Sequence, residues 1–281
     1  MKPIKIIHLS DVHFCPDKKD EALASLETAR AKGQAESVDL FAIAGDLFDR
    51  AIQNTANSGL PELQRVIQDM MDVAPVVAIS GTPTHDAKGC YEVLQETTAE
   101  HSFTVLDPRH AYHLVGGEVY SDHVFPNFGE RLEADLLILG CPEPSKEWFL
   151  KDKRMGGDEA NEAILNGMKG LLLGFAATRN EHPSIPCLLV YHGNVAGATM
   201  CNGQAVRPGE LTIGRDDLAL VGADYYALGH IHLAQQIGDL PAFYAGSAYP
   251  INWGELDQKQ FNLVTLLSRI SRSLVTVRSE E

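Results

Sequence analysis

The sequence predicts an α/β protein in which parallel β-strands alternate with helices. Three short apolar runs rich in β-branched residues, at 4–8, 38–44 and 76–79, are separated by helical segments at 20–32 and 61–71. Alternation at this spacing favours parallel strands joined by right-handed crossovers. In an open sheet of this kind polar functional residues collect beyond the carboxyl ends of the strands, so the loops after these runs are where chemistry is expected.

The rest of the chain predicts a second set of strands around one long helix. Residues 158–178 have a helical pattern with Asp158 as a candidate N-cap. Strand-like runs lie on both sides of it, at 103–106, 111–120, 136–139, 188–191, 225–228, 243–245, 261–267 and 273–278. Without repeats or Pro/Ser-rich linkers, the sequence predicts a single domain over 1–281, with an irregular insertion at about 107–134 and no separate capping domain.

Composition restricts the classes of function. The 281 residues include 23 Lys and Arg against 38 Asp and Glu, and this net charge of −15 excludes a protein held on nucleic acid by its overall charge. A polyanionic substrate would need local positive potential, which bound divalent cations supply. The five cysteines are scattered and form no Cys-x-x-Cys pair, so any metal must be bound through oxygen and imidazole ligands.

The hydropathy pattern argues against a membrane protein. No run of 18 or more apolar residues exists, and the first residues have neither a signal-peptide core nor a cleavage site. We therefore expect a cytoplasmic protein that has no membrane partner.

Metal-ligand residue types follow five of the predicted strands. The segments are Ser10-Asp11-Val12-His13, Gly45-Asp46-Leu47-Phe48-Asp49, Gly81-Thr82-Pro83-Thr84-His85-Asp86, Tyr191-His192-Gly193-Asn194 and Gly229-His230-Ile231-His232. Alternation along an extended segment puts Asp11 and His13 on one side, and likewise His230 and His232. One such segment alone is typical of a turn or a cap, whereas five in order indicate a shared site. Mixed carboxylate and imidazole ligands suit a pair of divalent cations such as manganese, iron or zinc.

This ordered set resembles the calcineurin-like metallophosphoesterase superfamily, whose motifs run Asp-x-His, Gly-Asp, Gly-Asn-His-Asp/Glu, a later His and Gly-His-x-His. The resemblance implies a four-layer sandwich of two mixed β-sheets flanked by helices. A narrower resemblance, to DNA repair exonucleases such as the nuclease subunit of the SbcCD complex, rests on residues 224–232, Tyr244-Ala245-Gly246-Ser247 and Gly254-Glu255 with Lys259. It implies a DNA exonuclease or endonuclease of the double-strand-break repair type, with an SbcC-like ATPase as a candidate partner. A homodimer is a further candidate assembly.

The resemblance also implies roles for individual residues. Asp11, His13 and His232 would hold one cation, His192 and His230 the other, and Asp46 would bridge the two. His85, steadied by Asp86, would then be free to protonate the leaving oxygen or to stabilise the developing charge. Manganese is the expected ion, with iron, zinc and magnesium as alternatives.

One segment departs from the family's pattern. Gly81-Thr82-Pro83-Thr84-His85-Asp86 is two residues longer than Gly-Asn-His-Asp, and Thr84 stands where the amide ligand of the second cation is expected. The hydroxyl or carbonyl of Thr84, a water molecule, or Asn194 beside His192 are the alternatives. Each predicts weaker binding of the second cation than of the first.

Four residues are candidate substrate contacts. Arg50 suits a phosphate, Asn194 adjoins His192, and Tyr249 and Trp253 would stack a base beside the cations. For each of them the alternative is an ordinary surface or packing role.

Two alternative functions also stay open. One is hydrolysis of a small or non-DNA phosphoester, which the acidic net charge favours, and the other is a non-catalytic scaffold, which the retained ligand types disfavour.

Overall fold

Two β-sheets with helices on their outer faces make up the computed structural model, which describes residues 2–51, 58–122, 134–144, 156–204, 210–267 and 276–280. Its strands in chain order are β1 (Ile4–Leu9), β2 (Leu40–Ile43), β3 (Val76–Ala78), β4 (Phe103–Val105), β5 (Ala111–Val115), β6 (Glu118–Ser121), β7 (Leu136–Cys141), β8 (Cys187–His192), β9 (Asn194–Val195), β10 (Thr212–Ile213), β11 (Tyr225–Gly229), β12 (Gln235–Gln236), β13 (Ala242–Tyr244), β14 (Phe261–Leu266) and β15 (Thr276–Glu280). The helices are α1 (Lys19–Glu36), α2 (Leu60–Met71), α3 (Glu92–Gln95), α4 (Gly157–Glu181) and α5 (Arg215–Ala219).

Both large sheets are mixed. The first has the strand order β15-β14-β1-β2-β3-β4, in which β1 to β4 run parallel and β14 is antiparallel to its two neighbours. The second has the order β12-β13-β11-β8-β7-β5-β6, with a parallel centre and antiparallel edges. The strands β9 and β10 form a separate parallel pair. The predicted α/β class with two mixed sheets is confirmed.

Alternation along the strands produces four layers. Ile6 and Leu40 of the first sheet pack against Ile138 and Leu188 of the second, in an apolar layer between the sheets. Neighbouring residues of the same strands point outwards, so that one further cluster lies between the first sheet and α1 and α2, and another between the second sheet and α4. Because the central strands are buried on both faces, they read in the sequence as continuous apolar runs.

Several predicted elements differ in detail from the structure. Part of the predicted irregular insertion, residues 111–121, forms the β5–β6 hairpin at the edge of the second sheet. Residues 123–133 lie outside the described residues, as do 268–275 at the start of the last predicted strand. Asp158 lies in the first turn of α4 rather than at its N-cap, which is Gly156, and there its charge favours the helix dipole. In the described ranges no helix is long and apolar enough to cross a bilayer.

The layer between the sheets predicts a large stability cost for a cavity. Leu188 is 0% exposed, so we expect Leu188→Ala to lower the free energy of unfolding by about 2–5 kcal/mol. Leu173 on α4 is 50% exposed, and Leu173→Ala is the matched control with an expected change within about 0.5 kcal/mol. Urea unfolding followed by circular dichroism measures both. Equal losses in the two variants would contradict the observed layering.

Candidate metal centre

The five segments with metal-ligand residue types converge at the carboxyl ends of β1, β2, β3, β8 and β11. Four of their residues, Asp11, His13, Asp46 and His230, have positive φ angles of 51°, 46°, 49° and 100°. Such angles are uncommon for residues other than glycine and concentrate at functional sites. The backbone is therefore bent so that side chains from separate strands point at one place.

Asp11, His13 and His232 form the first ligand group. All three are buried, and one candidate ligand atom from each lies within 4.8 Å of the other two. Nε2 of His13 lies 3.2 Å from Nε2 of His232 and 4.0 Å from Oδ1 of Asp11. Nδ1 of His232 is 2.8 Å from Oε1 of Glu255. Because an ionised carboxylate only accepts, Nδ1 of His232 is the donor, and its Nε2 presents a lone pair to the group.

Asp46, His192 and His230 form the second ligand group, again buried and within 4.8 Å of one another. Nδ1 of His192 donates to the Ala44 carbonyl at 2.7 Å, which directs Nε2 at Oδ2 of Asp46, 3.4 Å away. That Nε2 is buried without a hydrogen-bond partner among the described residues. The same Asp46 oxygen lies 4.0 Å from Nε2 of His13, so Asp46 stands between the two groups.

The protonation states of these groups suit cation binding. Burial by itself would raise the pKa of Asp46, but the facing imidazoles of His192 and His13 hold it well below its usual range. Burial lowers the pKa of His13 to about 4, against the opposing effect of Asp46 and Asp11, so its ring is neutral at neutral pH. Burial also disfavours a charged His192, but Asp46 raises its pKa to about 10. A cation bound by the second group would take the place of the His192 proton.

Comparison with known proteins finds a partial family match and a distant relative. The family model described as calcineurin-like phosphoesterase matches residues 4–82, which contain the segments after β1 and β2 and the start of the segment after β3. The chain is 24% identical over 283 aligned residues to the D subunit of nuclease SbcCD from Escherichia coli K12, across 93% of this chain and 65% of that protein. These two matches, together with the motifs after the strands, support the resemblance to the calcineurin-like metallophosphoesterase superfamily. Because the chain spans slightly less than two thirds of that relative's length, the relative's activity and assembly are not carried over by the match.

A solved structure with a similar fold supports the arrangement of strands and helices independently. The calcineurin-like phosphoesterase YfkN from Bacillus subtilis superimposes with a TM-score of 0.51 at 13% sequence identity, over 99% of this chain and 90% of that chain. A likeness at that identity concerns the arrangement of strands and helices. The family-model match and the two ligand groups support a coarse chemistry, hydrolysis of a phosphoester with bound metal ions.

The threonine that hydrogen-bonds to Asp46 is Thr82, and the ligand role predicted for Thr84 stays a prediction. The amide nitrogen of Thr82 donates to Oδ1 of Asp46 at 2.6 Å, and its hydroxyl donates to Oδ2 at 3.3 Å. Thr82 is fully buried, whereas Thr84 is exposed. Thr82 directly follows Gly81, so it occupies the position of the Asn in Gly-Asn-His-Asp, and the two extra residues come after it. Aligning the segment from its glycine rather than from its histidine would have identified it.

Asp86 does not steady His85, in contrast to the prediction. Its carboxylate accepts hydrogen bonds from the Gly81 amide at 2.8 Å, the Phe48 amide at 3.0 Å and the Tyr91 hydroxyl at 2.7 Å. Burial, together with the nearby charge of Asp46, raises the pKa of Asp86 to about 6. Asp86 thus joins the loop after β2 to the loop after β3, and its part in the site is to fix those loops.

His85 lies at the edge of the first ligand group. Its ring centroid is 4.8 Å from that of His13, and its Nδ1 donates to the backbone carbonyl of Asp49. The side chain is 27% exposed, more than that of any residue in the two ligand groups. Asp49 is therefore the residue that orients His85, through its main chain rather than its carboxylate.

The four candidate substrate contacts have different surroundings. Tyr249 is buried and its hydroxyl donates to the His13 carbonyl at 2.9 Å, so the prediction that its ring stacks a base is wrong. Trp253 is 101% exposed and its ring is open to solvent. Arg50 is exposed and pairs with Asp17 at 2.7 Å. Asn194 is half-buried in β9, opposite Thr212 of β10.

Glu255 has a larger part in the site than the sequence indicated. Besides His232, its carboxylate accepts from the Ser247 hydroxyl at 2.9 Å and pairs with Lys259 at 2.7 Å. Burial would raise the pKa of Glu255, but hydrogen bonds from His232 and Lys259 lower it to about 2. It is thus a permanent anion behind a candidate ligand. The sequence feature that could have indicated this role is the spacing of Glu255 and Lys259, an acid and a lysine four residues apart.

The two threonines provide a matched pair for testing this geometry. Because Thr82 orients Asp46 and Thr84 is exposed, we expect Thr82→Val to weaken Mn²⁺ binding by about tenfold and Thr84→Val to leave it unchanged. Isothermal titration calorimetry with MnCl₂ measures both affinities. An equal effect of the two substitutions would contradict the position assigned to Thr82.

Proposed function

We propose that this protein is a nuclease that hydrolyses DNA phosphodiester bonds with two divalent cations, manganese being the expected ion. The observation that carries the proposal is the convergence of six buried ligand side chains in two adjoining groups. Asp11, His13 and His232 would hold one cation, and His192 and His230 the other. Asp46, whose Oδ2 faces both His13 and His192, would contact both cations.

Different residues of the chain have different roles in the proposed hydrolysis. When bound, the cations supply Lewis-acid polarisation of the phosphoryl oxygens and make a water nucleophile available at neutral pH. The Ala44 carbonyl and the Glu255 carboxylate fix the tautomers of His192 and His232, so that both rings present Nε2. Because Nδ1 of His85 donates to the Asp49 carbonyl, Nε2 is the ring nitrogen that would pass a proton to the leaving oxygen when the ring carries both protons.

Three observations support DNA as the substrate. The similarity to the D subunit of nuclease SbcCD extends over 93% of this chain. The exposed Trp253 lies two residues before Glu255 in the same loop and offers a face on which a base can stack. Arg50 lies on the exposed rim beside Asp49 and can reach a phosphate if it leaves Asp17.

The remaining proposals concern context. The first is an SbcC-like ATPase as partner, which the same similarity motivates. A cytoplasmic location, a homodimer as the other candidate assembly, and a single catalytic domain over 1–281 are proposals from the sequence, not from the similarity. The net charge of −15 favours one alternative, hydrolysis of a small phosphoester that needs no extended contact with a polyanion.

The substrate class can be tested directly. We expect Mn²⁺-dependent cleavage of labelled single- and double-stranded DNA as well as of bis(p-nitrophenyl) phosphate, measured in parallel with EDTA as control. DNA cleavage at subsaturating substrate should fall steeply between about 50 and 200 mM salt, because binding through several phosphates releases counterions, whereas cleavage of the small ester should change little. Hydrolysis of the ester without cleavage of either DNA would favour the small-substrate alternative.

The role of His85 predicts a separation of chemistry from metal binding. His85→Ala should lower kcat by about 10²- to 10⁴-fold, the usual contribution of general acid catalysis, with both cations retained. His101→Ala is the matched control, because His101 is a half-buried histidine paired with Glu118 outside the ligand groups. Initial rates of DNA cleavage from quenched time points give kcat. Elemental analysis after dialysis gives the number of bound Mn²⁺ ions. An unchanged kcat in His85→Ala would contradict the proposed proton donor.

A further inference from the structure

Two acidic side chains, Glu143 and Glu210, lie beside His230 but belong to neither of the two ligand groups described above. One carboxylate oxygen from each and one His230 nitrogen lie within 4.8 Å of one another. Oε1 of Glu210 is in direct contact with Nε2 of His230, and the two side chains are only 7% and 5% exposed. Two carboxylates this close in a poorly solvated site repel each other when both are ionised, and a cation between them relieves that repulsion.

The fold brings both acids to the edge of the sheet that holds the second ligand group. Glu143 follows β7, which pairs in parallel with β8, the strand that ends at His192. Glu210 precedes β10, whose partner β9 begins two residues after His192. Oε2 of Glu143 is buried from water and has no hydrogen-bond partner among the described residues. A buried acceptor without a donor is costly, and a bound cation would satisfy it.

The second ligand group is short of ligands. Asp46, His192 and His230 contribute three side chains, and Thr82, in the position of the family's amide, directs its hydroxyl at Asp46. Divalent cations such as Mn²⁺ take more ligands than three, preferentially oxygen atoms. Since a neutral imidazole binds one cation through one nitrogen, the presence of His230 in both groups indicates one enlarged site rather than two separate ones.

We propose that Glu210 and Glu143 are ligands of the divalent cation that His230 shares with Asp46 and His192, and that they replace the missing amide. The inference rests on the proposed function, because it takes the two-cation centre as given. Two added carboxylates make this position harder and more negative than an amide would. It should therefore favour Mn²⁺ or Mg²⁺ over Zn²⁺ more strongly than the position of Asp11, His13 and His232 does.

The test is the number and affinity of bound Mn²⁺ ions in the full chain, measured by equilibrium dialysis with elemental analysis. We expect the wild-type protein to bind two ions. Glu210→Gln and Glu143→Gln should each weaken one of the two by about tenfold or more and leave the other unchanged, and Asp11→Asn should weaken the other ion. Glu118→Gln is the matched control, because Glu118 also contacts a histidine, His101 at 2.9 Å, outside the ligand groups.

The outcomes separate this inference from the function on which it rests. Two Mn²⁺ ions bound with wild-type affinities by Glu143→Gln/Glu210→Gln would overturn the inference and leave the two-cation centre intact. A wild-type protein that binds no Mn²⁺ would overturn the proposed function as well. Thermal unfolding in EDTA checks that the variants fold. If the double variant does not fold, the Mn²⁺ affinity of Glu143→Gln alone decides whether the inference holds.

Discussion

A buried carboxylate, Asp46, connects the two sheets at the site. It follows β2 of the first sheet, and its Oδ2 lies 3.4 Å from Nε2 of His192, at the end of β8 in the second sheet. Removing an ion of this size from water costs several kcal/mol, which only nearby opposite charge and hydrogen bonds can offset. Here the offset comes from His192, from the more distant His13 and from two hydrogen bonds of Thr82. The relative position of the sheets at this edge and the charge state of the site therefore depend on each other.

The backbone at the site is strained, and a network of hydrogen bonds holds it in place. Residues with positive φ other than glycine cost of order 1–3 kcal/mol each. The Asp11 amide donates to the Gly45 carbonyl at 3.1 Å, the His13 amide to the Asp46 carbonyl at 2.9 Å, and the His230 amide to both Asp11 oxygens at 3.0 Å. Space is equally restricted, because a Cβ on Gly229 would lie 1.9 Å from the Ala44 carbonyl oxygen. The rigid sheets on either side make it possible to hold these conformations, and the ligand atoms are thereby pre-organised.

The sequence predicted those parts of the molecule that depend on local pattern. The runs at 4–8, 38–44 and 76–79 became β1, β2 and β3 because strands buried on both faces must be apolar throughout, and the residues after them lie together because parallel strands end at one edge. The errors fall inside loops, where no periodicity fixes which way a side chain points. Thr82 and Thr84 differ only in where two extra residues are placed, and Tyr249 and Trp253 are indistinguishable until burial is known. Glu210, a ligand only by our proposal, was not a candidate in the sequence because it follows no predicted strand.

Part of the acidic charge of the chain is concentrated at the two ligand groups. Asp11, Asp46, Glu143 and Glu210 all lie in or beside the two ligand groups, so without cations this edge of the sheets repels a phosphodiester. Two divalent ions would cancel the four carboxylate charges and concentrate positive potential at the point where the phosphate must lie. On the proposed assignment, substrate access therefore depends on metal occupancy. A net charge of −15 is then compatible with a nucleic-acid substrate, because attraction needs to act only at the scissile phosphate and at the few exposed side chains around it.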